Sequence, residues 1–217
     1  MKHIWGIVPL LLLLLSALPA LGQTLFWEDF EDGVADGFTV LAGGWEVVDG
    51  TYHVRNDGFE VYLASIAGSA EWSDYHFECD LRAVGSINQH VRFRMQDANN
   101  YYEVNVRANP YNDAKLQKVV NGSRSILATT SFPNANDEWH HFSIDVTGPD
   151  VLFKCDSTVL FNYFDANSPF LNGYIALASY SGGVVQWQDM YFDNVLIQVF
   201  AVPTSTATWS DVKTLYK

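Results

Sequence analysis

The chain has 217 residues, of which 25 are acidic and 12 are Lys or Arg, so its formal net charge at pH 7 is −13. This charge excludes nucleic acid and anionic membrane surfaces as expected partners, because both bind basic faces. Divalent cations and neutral polymers are better matched to it. The excess of carboxylates can equally serve solubility alone.

The amino terminus has the pattern of a secretory signal peptide. Lys2 precedes an apolar run over residues 4–15, and Ala20-Leu21-Gly22 forms a small-x-small cleavage sequence. We therefore predict cleavage after Gly22 and a secreted protein, extracellular or at the cell surface. Removing 22 of 217 residues leaves 195, enough for one large β-sandwich. We expect no transmembrane segment, because no later stretch approaches the roughly 20 apolar residues of a spanning helix.

Residues 23–200 are predicted to form one domain of short β-strands. Apolar and polar residues alternate along most segments, as in strands with one buried face. The apolar positions that we place in the core include Tyr75, Phe77, Cys79, Leu81, Val91, Phe93 and Met95. Asp49-Gly50 and Asn121-Gly122 supply the residues of tight hairpin turns. About a dozen strands without intervening helices predict an all-β, two-sheet antiparallel sandwich.

Residues 139–161 carry the most specific pattern of the chain. Trp139-His140-His141 opens a strand in which Phe142 and Ile144 face one side, and two further strands follow after short turns. This segment resembles the Trp-His strand and hairpin of laminin G-like domains in the concanavalin A-like lectin/glucanase superfamily. The resemblance implies a jelly-roll sandwich over residues 24–200. His140 and His141 are adjacent, so they face opposite ways and cannot bind one metal together.

Two neighbouring segments suggest a carbohydrate-binding face. Residues 93–102 resemble a hairpin of laminin G-like and levan-binding-module-like domains, in which nearby polar residues bind sugar in some members. The side chains that we expect on this face are Arg92, Arg94, Tyr101, Glu103, Asn105 and Arg107. Guanidinium and carboxylate groups bond vicinal hydroxyls, and Tyr101 or Tyr62 could stack on a sugar ring. The same charged residues could instead form a cross-strand ladder that only supports the sheet.

Acidic residues near the two ends of the domain suggest a calcium site. Asp29 and Glu31 point the same way on an early strand, and Asp193 lies on the last strand. Many concanavalin A-like sandwiches hold one Ca²⁺ where such strands meet, so the resemblance implies a structural Ca²⁺ bound by Asp29, Glu31 and Asp193. Asp49 in the first hairpin turn could add a ligand. The alternative is a set of solvated edge carboxylates.

Catalytic motifs are missing from the sequence. Laminarinase-type relatives carry Glu-x-Asp-x-x-Glu on one strand, whereas Glu103 here is followed by Asn105 and Arg107. A nucleophile elbow, Gly-x-Ser-x-Gly, is also absent. A domain proposed to act on 3-keto-sugars shares much of the hairpin, so an enzyme of the glucanase or 3-keto-glycoside type remains an alternative.

Two further features stay open at the level of sequence. Cys79 and Cys155 both occupy core positions and could form one disulfide or remain two buried thiols. Residues 201–217 combine a Pro/Thr/Ser linker with a short amphipathic segment containing Trp209. This tail could pack back on the sandwich or remain a frayed end. Alternatively, it attaches the protein to a surface or matrix.

Taken together, these features predict a secreted, non-catalytic, lectin-like or adhesive module. The expected partners are extracellular glycan first and cell-surface protein second, with Ca²⁺ as a structural ion. The alternatives are the glycan-acting enzyme and a structural surface component held through its tail.

Overall fold

The computed structural model describes residues 22–58, 60–85, 87–181 and 187–200. Within them, residues Gln23–Phe200 form one compact unit. The predicted signal peptide, apart from Gly22, and the predicted tail at residues 201–217 lie outside the described residues. Among the described residues, no helix has the length and apolar character needed to cross a membrane.

The described residues form two antiparallel sheets, which confirms the predicted β-sandwich. One sheet contains β1 (Thr24–Glu28), β3 (Trp45–Val48), β4 (Thr51–Asn56), β6 (Tyr75–Val84), β11 (Trp139–Thr147), β12 (Asp150–Cys155), β13 (Thr158–Phe164) and β15 (Gln188–Gln198). The other contains β2 (Phe38–Ala42), β5 (Val61–Ala67), β7 (Asn88–Asp97), β8 (Asn100–Arg107), β9 (Asp113–Val120), β10 (Ser123–Ser131) and β14 (Tyr174–Ser181). We call them the eight-stranded and the seven-stranded sheet.

Strand order places distant parts of the chain side by side. The eight-stranded sheet runs β13-β12-β11-β6-β15-β4-β3, with β1 paired to β15. The seven-stranded sheet runs β10-β9-β8-β7-β14-β5-β2. In the β1–β15 pair, Glu28 lies opposite Val195 and Trp27 opposite Leu196. The first and last described strands therefore meet, as a site shared between the two ends requires.

Both Gly-containing hairpins form where the sequence predicts them. Asp49 and Gly50 have φ angles of 49° and 73°, and Asn121 and Gly122 have φ angles of 49° and 79°. These left-handed conformations suit a type I′ turn, which Asp, Asn and Gly adopt at low cost. The turns join β3 to β4 and β9 to β10.

The core lies between the sheets and follows the predicted alternation, with one exception. Phe77, Leu81, Val91 and Phe93 are buried in it, and each such side chain contributes about 1.5–3 kcal/mol by leaving water. Met95 was predicted to join them, but that prediction is wrong. It packs on the outer side of the seven-stranded sheet, in a cluster with Tyr101, Val119 and Ala176.

The two cysteines are free and buried. Phe142 on β11 lies opposite Cys79 on β6 and opposite Cys155 on β12. The cysteines are therefore two strand spacings apart, roughly 10 Å, which exceeds the roughly 7 Å limit for a disulfide. Burial raises the pKa of both thiols, so neither is an activated nucleophile.

Candidate functional site

The outer face of the seven-stranded sheet collects most of the predicted glycan-binding residues. On β8, Tyr102, Val104 and Val106 point into the core, and the alternating residues point outward. On β7, Arg92 lies directly opposite Glu103 of β8. The predicted residues on this outer face are Arg92, Tyr101, Glu103, Asn105 and Arg107.

An ion-pair network stands at the centre of this face. Arg92 Nε donates to Glu103 Oε2 at 3.0 Å, and Arg124 of β10 donates to Glu103 Oε1. Arg124 Nη1 also donates to Gln117 Oε1 at 2.9 Å. Glu103 is fully buried, and Arg92 is only 4% exposed. The network thus carries two guanidinium groups for one carboxylate.

His90 completes the network from β7. Its Nδ1 lies 3.4 Å from Glu103 Oε1. Burial lowers the pKa of His90, so this imidazole is neutral at neutral pH. Burial alone would raise the pKa of Glu103, but the surrounding charges outweigh it and hold that pKa far below the ordinary range. His90, Arg92 and Arg124 are the groups that lower the pKa of Glu103, and the two guanidinium groups supply the lasting positive charge beside it.

Tyrosine rings cover the guanidinium groups. The Arg92 guanidinium carbon lies 4.3 Å from the centroid of the Tyr101 ring and 5.4 Å from that of Tyr62. Arg124 lies 5.0 Å from the Tyr62 ring. Tyr62 also stacks on Tyr180 of β14, with a centroid separation of 4.3 Å. Its side chain is 40% exposed, so one aromatic surface faces outward.

Two adjoining depressions lie on this face, and we call them together the trough. Their volumes are about 220 and 320 Å³. The smaller depression is lined by Tyr62, Arg92 and Tyr101. The larger one is mainly apolar, with Ile66 and Tyr174 in its wall. Both depressions share the residues Leu41, Met95 and Ala98.

Arg94 does not lie on the outer face, which corrects its place in the predicted site. The β7–β8 register shifts after Phe93, and Arg94 has a φ of 47°. This β-bulge turns two successive side chains to the inner side. The Arg94 guanidinium is fully buried and donates to the carbonyl oxygens of Ser73, Gly148 and Phe170. Its contacts are therefore structural.

Asn105 and Arg107 lie at the other end of the same face. Arg107 is paired with Asp113 on β9, and its guanidinium carbon lies 3.9 Å from the Tyr111 ring centroid. Asn105 Nδ2 lies 3.4 Å from Asn88 Oδ1, and Asn105 Oδ1 is buried with no hydrogen-bond partner in the part of the chain that the structure describes. Arg107 thus takes part in a cross-strand ladder.

The predicted calcium ligands come together at one end of the β1–β15 pair. Burial and the neighbouring carboxylates of Asp80, Glu31 and Asp29 raise the pKa of Asp193. The Glu31 carboxylate packs against the Asp49-Gly50 turn, since a Cβ on Gly50 would lie 3.2 Å from Glu31 Oε1. Repelling carboxylates, among which Asp193 has a raised pKa, suit a hard cation with oxygen ligands. The oxygens of these carboxylates do not all lie within 4.8 Å of one another. Among the described residues, His140, Cys155 and Asp156 have possible ligand atoms that close together.

The fold and site can be set against known proteins. The sequence model of one protein family, the 3-keto-alpha-glucoside-1,2-lyase-like domain, matches residues 26–198. The chain belongs to this family. The match spans the strands that build the trough and the four acidic residues. Together with the structural neighbours it indicates a concanavalin A-like or galectin-like sandwich, while the laminin G-like resemblance stays a prediction.

Structural relatives of this lyase-like domain show the same fold. The carbohydrate-binding module CBM66 from Bacillus subtilis has a TM-score of 0.64 and 24% identity, covering 75% of this chain and 95% of that chain. The catalytic domain of a laminarinase from Thermotoga petrophila has a TM-score of 0.61 and 12% identity, covering 83% of this chain and 99% of that chain. One relative binds carbohydrate by its name and the other is an enzyme.

A curated relative of the lyase-like domain is an extracellular exo-alpha-L-arabinofuranosidase from Streptomyces chartreusis. It is 26% identical over 137 residues, which cover 62% of this chain and 16% of the relative. The chain thus spans about one sixth of the length of that protein.

Sequence reasoning missed His90 and Arg124 of the network, and Tyr180 beside it. His90 precedes Arg92 by two positions, so strand periodicity alone could have placed it on the outer face. Arg124 follows the Asn121-Gly122 turn, and the hairpin register places it opposite Val119 on β9. Tyr180 comes from β14, and no local signal links it to Tyr62.

Proposed function

We propose that this lyase-like domain is a secreted glycan-binding module whose ligand occupies the trough. The observation that carries the proposal is the convergence of Tyr62, Tyr101 and Arg92 on one depression of the outer face. Aromatic faces stack on the apolar faces of sugar rings, and guanidinium groups donate to hydroxyl or carboxylate oxygens. The apolar half of the trough could hold a methyl, acetyl or aglycone group of the same ligand.

The charge of the network supports this proposal. Arg92 and Arg124 carry two positive charges against the single charge of Glu103, in a chain whose formal net charge is −13. Arg92 Nη2 has no hydrogen-bond partner within the described protein, although it is buried. A buried guanidinium donor without an acceptor is costly, so a ligand oxygen that reaches it would be stabilised. Acceptor-rich ligands, such as neutral and acidic sugars, satisfy this requirement.

Extracellular location forms part of the proposal. The apolar start of the chain has the pattern of a signal peptide, and the curated relative is named as extracellular. The relative named as a carbohydrate-binding module supports a ligand of the same class. Attachment to a surface through residues 201–217 remains a prediction.

Glycan binding should depend on Tyr62. We expect Tyr62→Ala to weaken binding about threefold to tenfold, because a ring stacked on a sugar contributes about 0.5–1.5 kcal/mol. Binding is measured by affinity electrophoresis against neutral and acidic polysaccharides, followed by calorimetry on those that retard the protein. Phe164→Ala is the matched control, since Phe164 is an exposed aromatic residue of the other sheet. Absence of binding to every polysaccharide, or equal binding by both variants, contradicts the proposal.

We also propose that Asp29, Glu31 and Asp193 bind a structural Ca²⁺, with Asp49 as a further ligand. The raised pKa of Asp193 and the packing of Glu31 against the Asp49-Gly50 turn support it. Such an ion would neutralise repelling carboxylates where β1 and β15 meet.

Calcium should raise thermal stability modestly. If the affinity is like that of extracellular modules, about 10⁻⁴–10⁻³ M, millimolar Ca²⁺ adds about 1 kcal/mol, or roughly 2–4 °C in the melting temperature. Melts are compared in calcium and in chelator at equal ionic strength. Asp193→Asn is expected to remove the difference, whereas identical wild-type melts in both buffers rule the site out.

A second candidate function is the lyase chemistry that the family name describes. The observation in its favour is His90, a buried neutral imidazole whose Nε2 has no hydrogen-bond partner among the described residues. A neutral imidazole could take the C2 proton of a 3-keto-glycoside while the C1–O bond breaks and a C1–C2 double bond forms. The imidazolium then returns the proton to the departing oxygen, so that the aglycone leaves as an alcohol. Aglycone release from such a substrate, abolished by His90→Ala, would favour catalysis. Glycan binding without release would favour the binding module.

A further inference from the structure

A second cluster of chemistry-bearing residues lies on the outer face of the eight-stranded sheet, across the sandwich from the trough. On β6, His76, Glu78 and Asp80 point outward, and on β11, His141 and Asp145 do the same. His76 lies directly opposite Asp145 in the ladder, and His141 lies opposite Asp80. Glu78 stands between these two pairs.

The two imidazoles converge on one carboxylate oxygen. His76 Nε2 lies 2.7 Å from Glu78 Oε1, and His141 Nε2 lies 3.6 Å from the same atom. Two histidines and one glutamate are a common ligand set for zinc, with a fourth position left to water or an external ligand. The side chains are 22% to 42% exposed, so a metal ion can reach them from solvent.

Each imidazole is oriented by a carboxylate on its other nitrogen. His76 Nδ1 lies 2.5 Å from Asp145 Oδ1, and His141 Nδ1 lies 2.7 Å from Asp80 Oδ1. Histidines that bind metals usually donate the second ring N–H to a carboxylate, which fixes the ring and makes the coordinating nitrogen more basic. Both Nε2 atoms are therefore held towards Glu78. Asp80 also accepts a hydrogen bond from Asn194 Nδ2 at 2.9 Å, which fixes it in turn.

We propose that His76, His141 and Glu78 form a binding site for a divalent transition metal ion of the zinc class. In this site the metal lies between the two Nε2 atoms and the Glu78 carboxylate. The ligand atoms of His76, Glu78 and His141 do not all lie within 4.8 Å of one another, so these partly exposed side chains must close around the ion as it binds. Nitrogen ligands distinguish this site from the proposed calcium site, which offers only oxygen.

A different group of possible ligands lies at the end of β11 and β12. His140 Nδ1 is 3.1 Å from Asp156 Oδ2, and Cys155 Sγ is 3.9 Å from the same oxygen. The Cys155 thiol is fully buried. Burial raises its pKa, so the thiolate that a metal needs is disfavoured. Asp156 is engaged by the backbone N–H of His141. This group is better explained as a cap on the strand end, and we use it as a control.

Equilibrium dialysis of the untagged full chain against ZnCl₂, with 1 mM Ca²⁺ present throughout, tests the proposal. We expect saturable binding of one zinc ion per chain, lost in the double variant His76→Ala/His141→Ala. Asp145→Asn or Asp80→Asn should weaken binding about 10- to 100-fold while the direct ligands stay in place. His53→Ala is the matched control, because His53 also pairs with carboxylates on this face, Glu46 and Asp189, and no second histidine among the described residues shares them.

Three results would overturn the proposal. The wild-type chain could fail to bind zinc, the double variant could bind it unchanged, or Cys155→Ser could abolish binding. Circular dichroism melts of each variant separate lost binding from lost folding. Because the single aspartate variants retain both histidines, they keep the test informative if the double variant unfolds.

Discussion

Replacement of Glu103 by Gln is expected to lower the free energy of unfolding by about 3–5 kcal/mol. The amide keeps the shape of the side chain but removes its charge, so Arg92 and Arg124 lose their common counter-ion. Arg92 is nearly as buried as Glu103, and an unpaired buried guanidinium carries a large desolvation cost. Urea unfolding followed by tryptophan fluorescence measures the change as a shift of the midpoint at constant slope.

The matched control is Glu71→Gln, because Glu71 is exposed and its substitution should change stability by less than about 0.5 kcal/mol. A double-mutant cycle of Glu103→Gln with Arg124→Met should show coupling above about 1 kcal/mol, since the two groups share one contact. A loss below 1 kcal/mol for Glu103→Gln would mean that the network is hydrated and that the trough lacks the charge we assign to it.

The network also explains why Arg92 and Glu103 can both bind glycan and support the sheet, the two roles that the sequence leaves open for them. Arg92 and Glu103 form the cross-strand pair that a supporting ladder requires, while Tyr62 and Tyr101 cover the Arg92 guanidinium and line the trough. Pairing thus holds the guanidinium under the tyrosines. Arg107 differs, because Asp113 engages its guanidinium through both Nε and Nη2.

Periodicity predicted most of the fold because the strands are regular where the core is continuous. On β6, core and outward residues alternate without interruption from Tyr75 to Val84, as the sequence indicates. Positive φ angles at Asp49-Gly50 and Asn121-Gly122 could be predicted because few residues tolerate them. Both signals are local, so a single sequence suffices to read them.

Periodicity failed at Arg94 because a bulge depends on a distant segment. A Cβ at Gly173 would lie 2.5 Å from the Arg94 carbonyl carbon and 2.7 Å from the Met95 nitrogen. Residue 173 is thus pressed against β7 at the point where the strand kinks, and no pattern within residues 88–97 reveals this contact. The slip sends Arg94 inward and Met95 outward, which changes the predicted site and the predicted core together.

The zinc-class cluster was missed for a related reason. His140 and His141 were correctly expected to face opposite ways, and His140 is indeed buried while His141 is turned outward. The partner of His141 is His76, 65 positions away in the sequence. Only the pairing of β6 with β11 brings their imidazoles to Glu78, and that pairing cannot be read from either strand alone.

Substitution of Arg94 by Met is expected to lower the free energy of unfolding by about 3–5 kcal/mol, a second large effect. The guanidinium donates to the carbonyl oxygens of Ser73, Gly148 and Phe170, which belong to three separate connections between strands. Methionine fills a similar volume without donors, so these partly buried hydrogen bonds are lost from the three connections. Arg94→Lys should restore only part of the loss, because one ammonium group cannot reproduce the fork of a guanidinium.

Urea unfolding of Arg94→Met, Arg94→Lys and Arg55→Met compares the stability that a buried arginine bonded to three connections provides with that of an exposed, ion-paired arginine. Arg55 is 55% exposed and pairs with Asp189, so its replacement should cost less than about 1 kcal/mol. If Arg94 only ties the connections together, Arg94→Met that remains folded should bind glycan with near wild-type affinity, because its side chain lies on the inner side of the sheet. Loss of glycan affinity in a fully folded Arg94→Met would instead place Arg94 in the binding site, as strand alternation alone predicts.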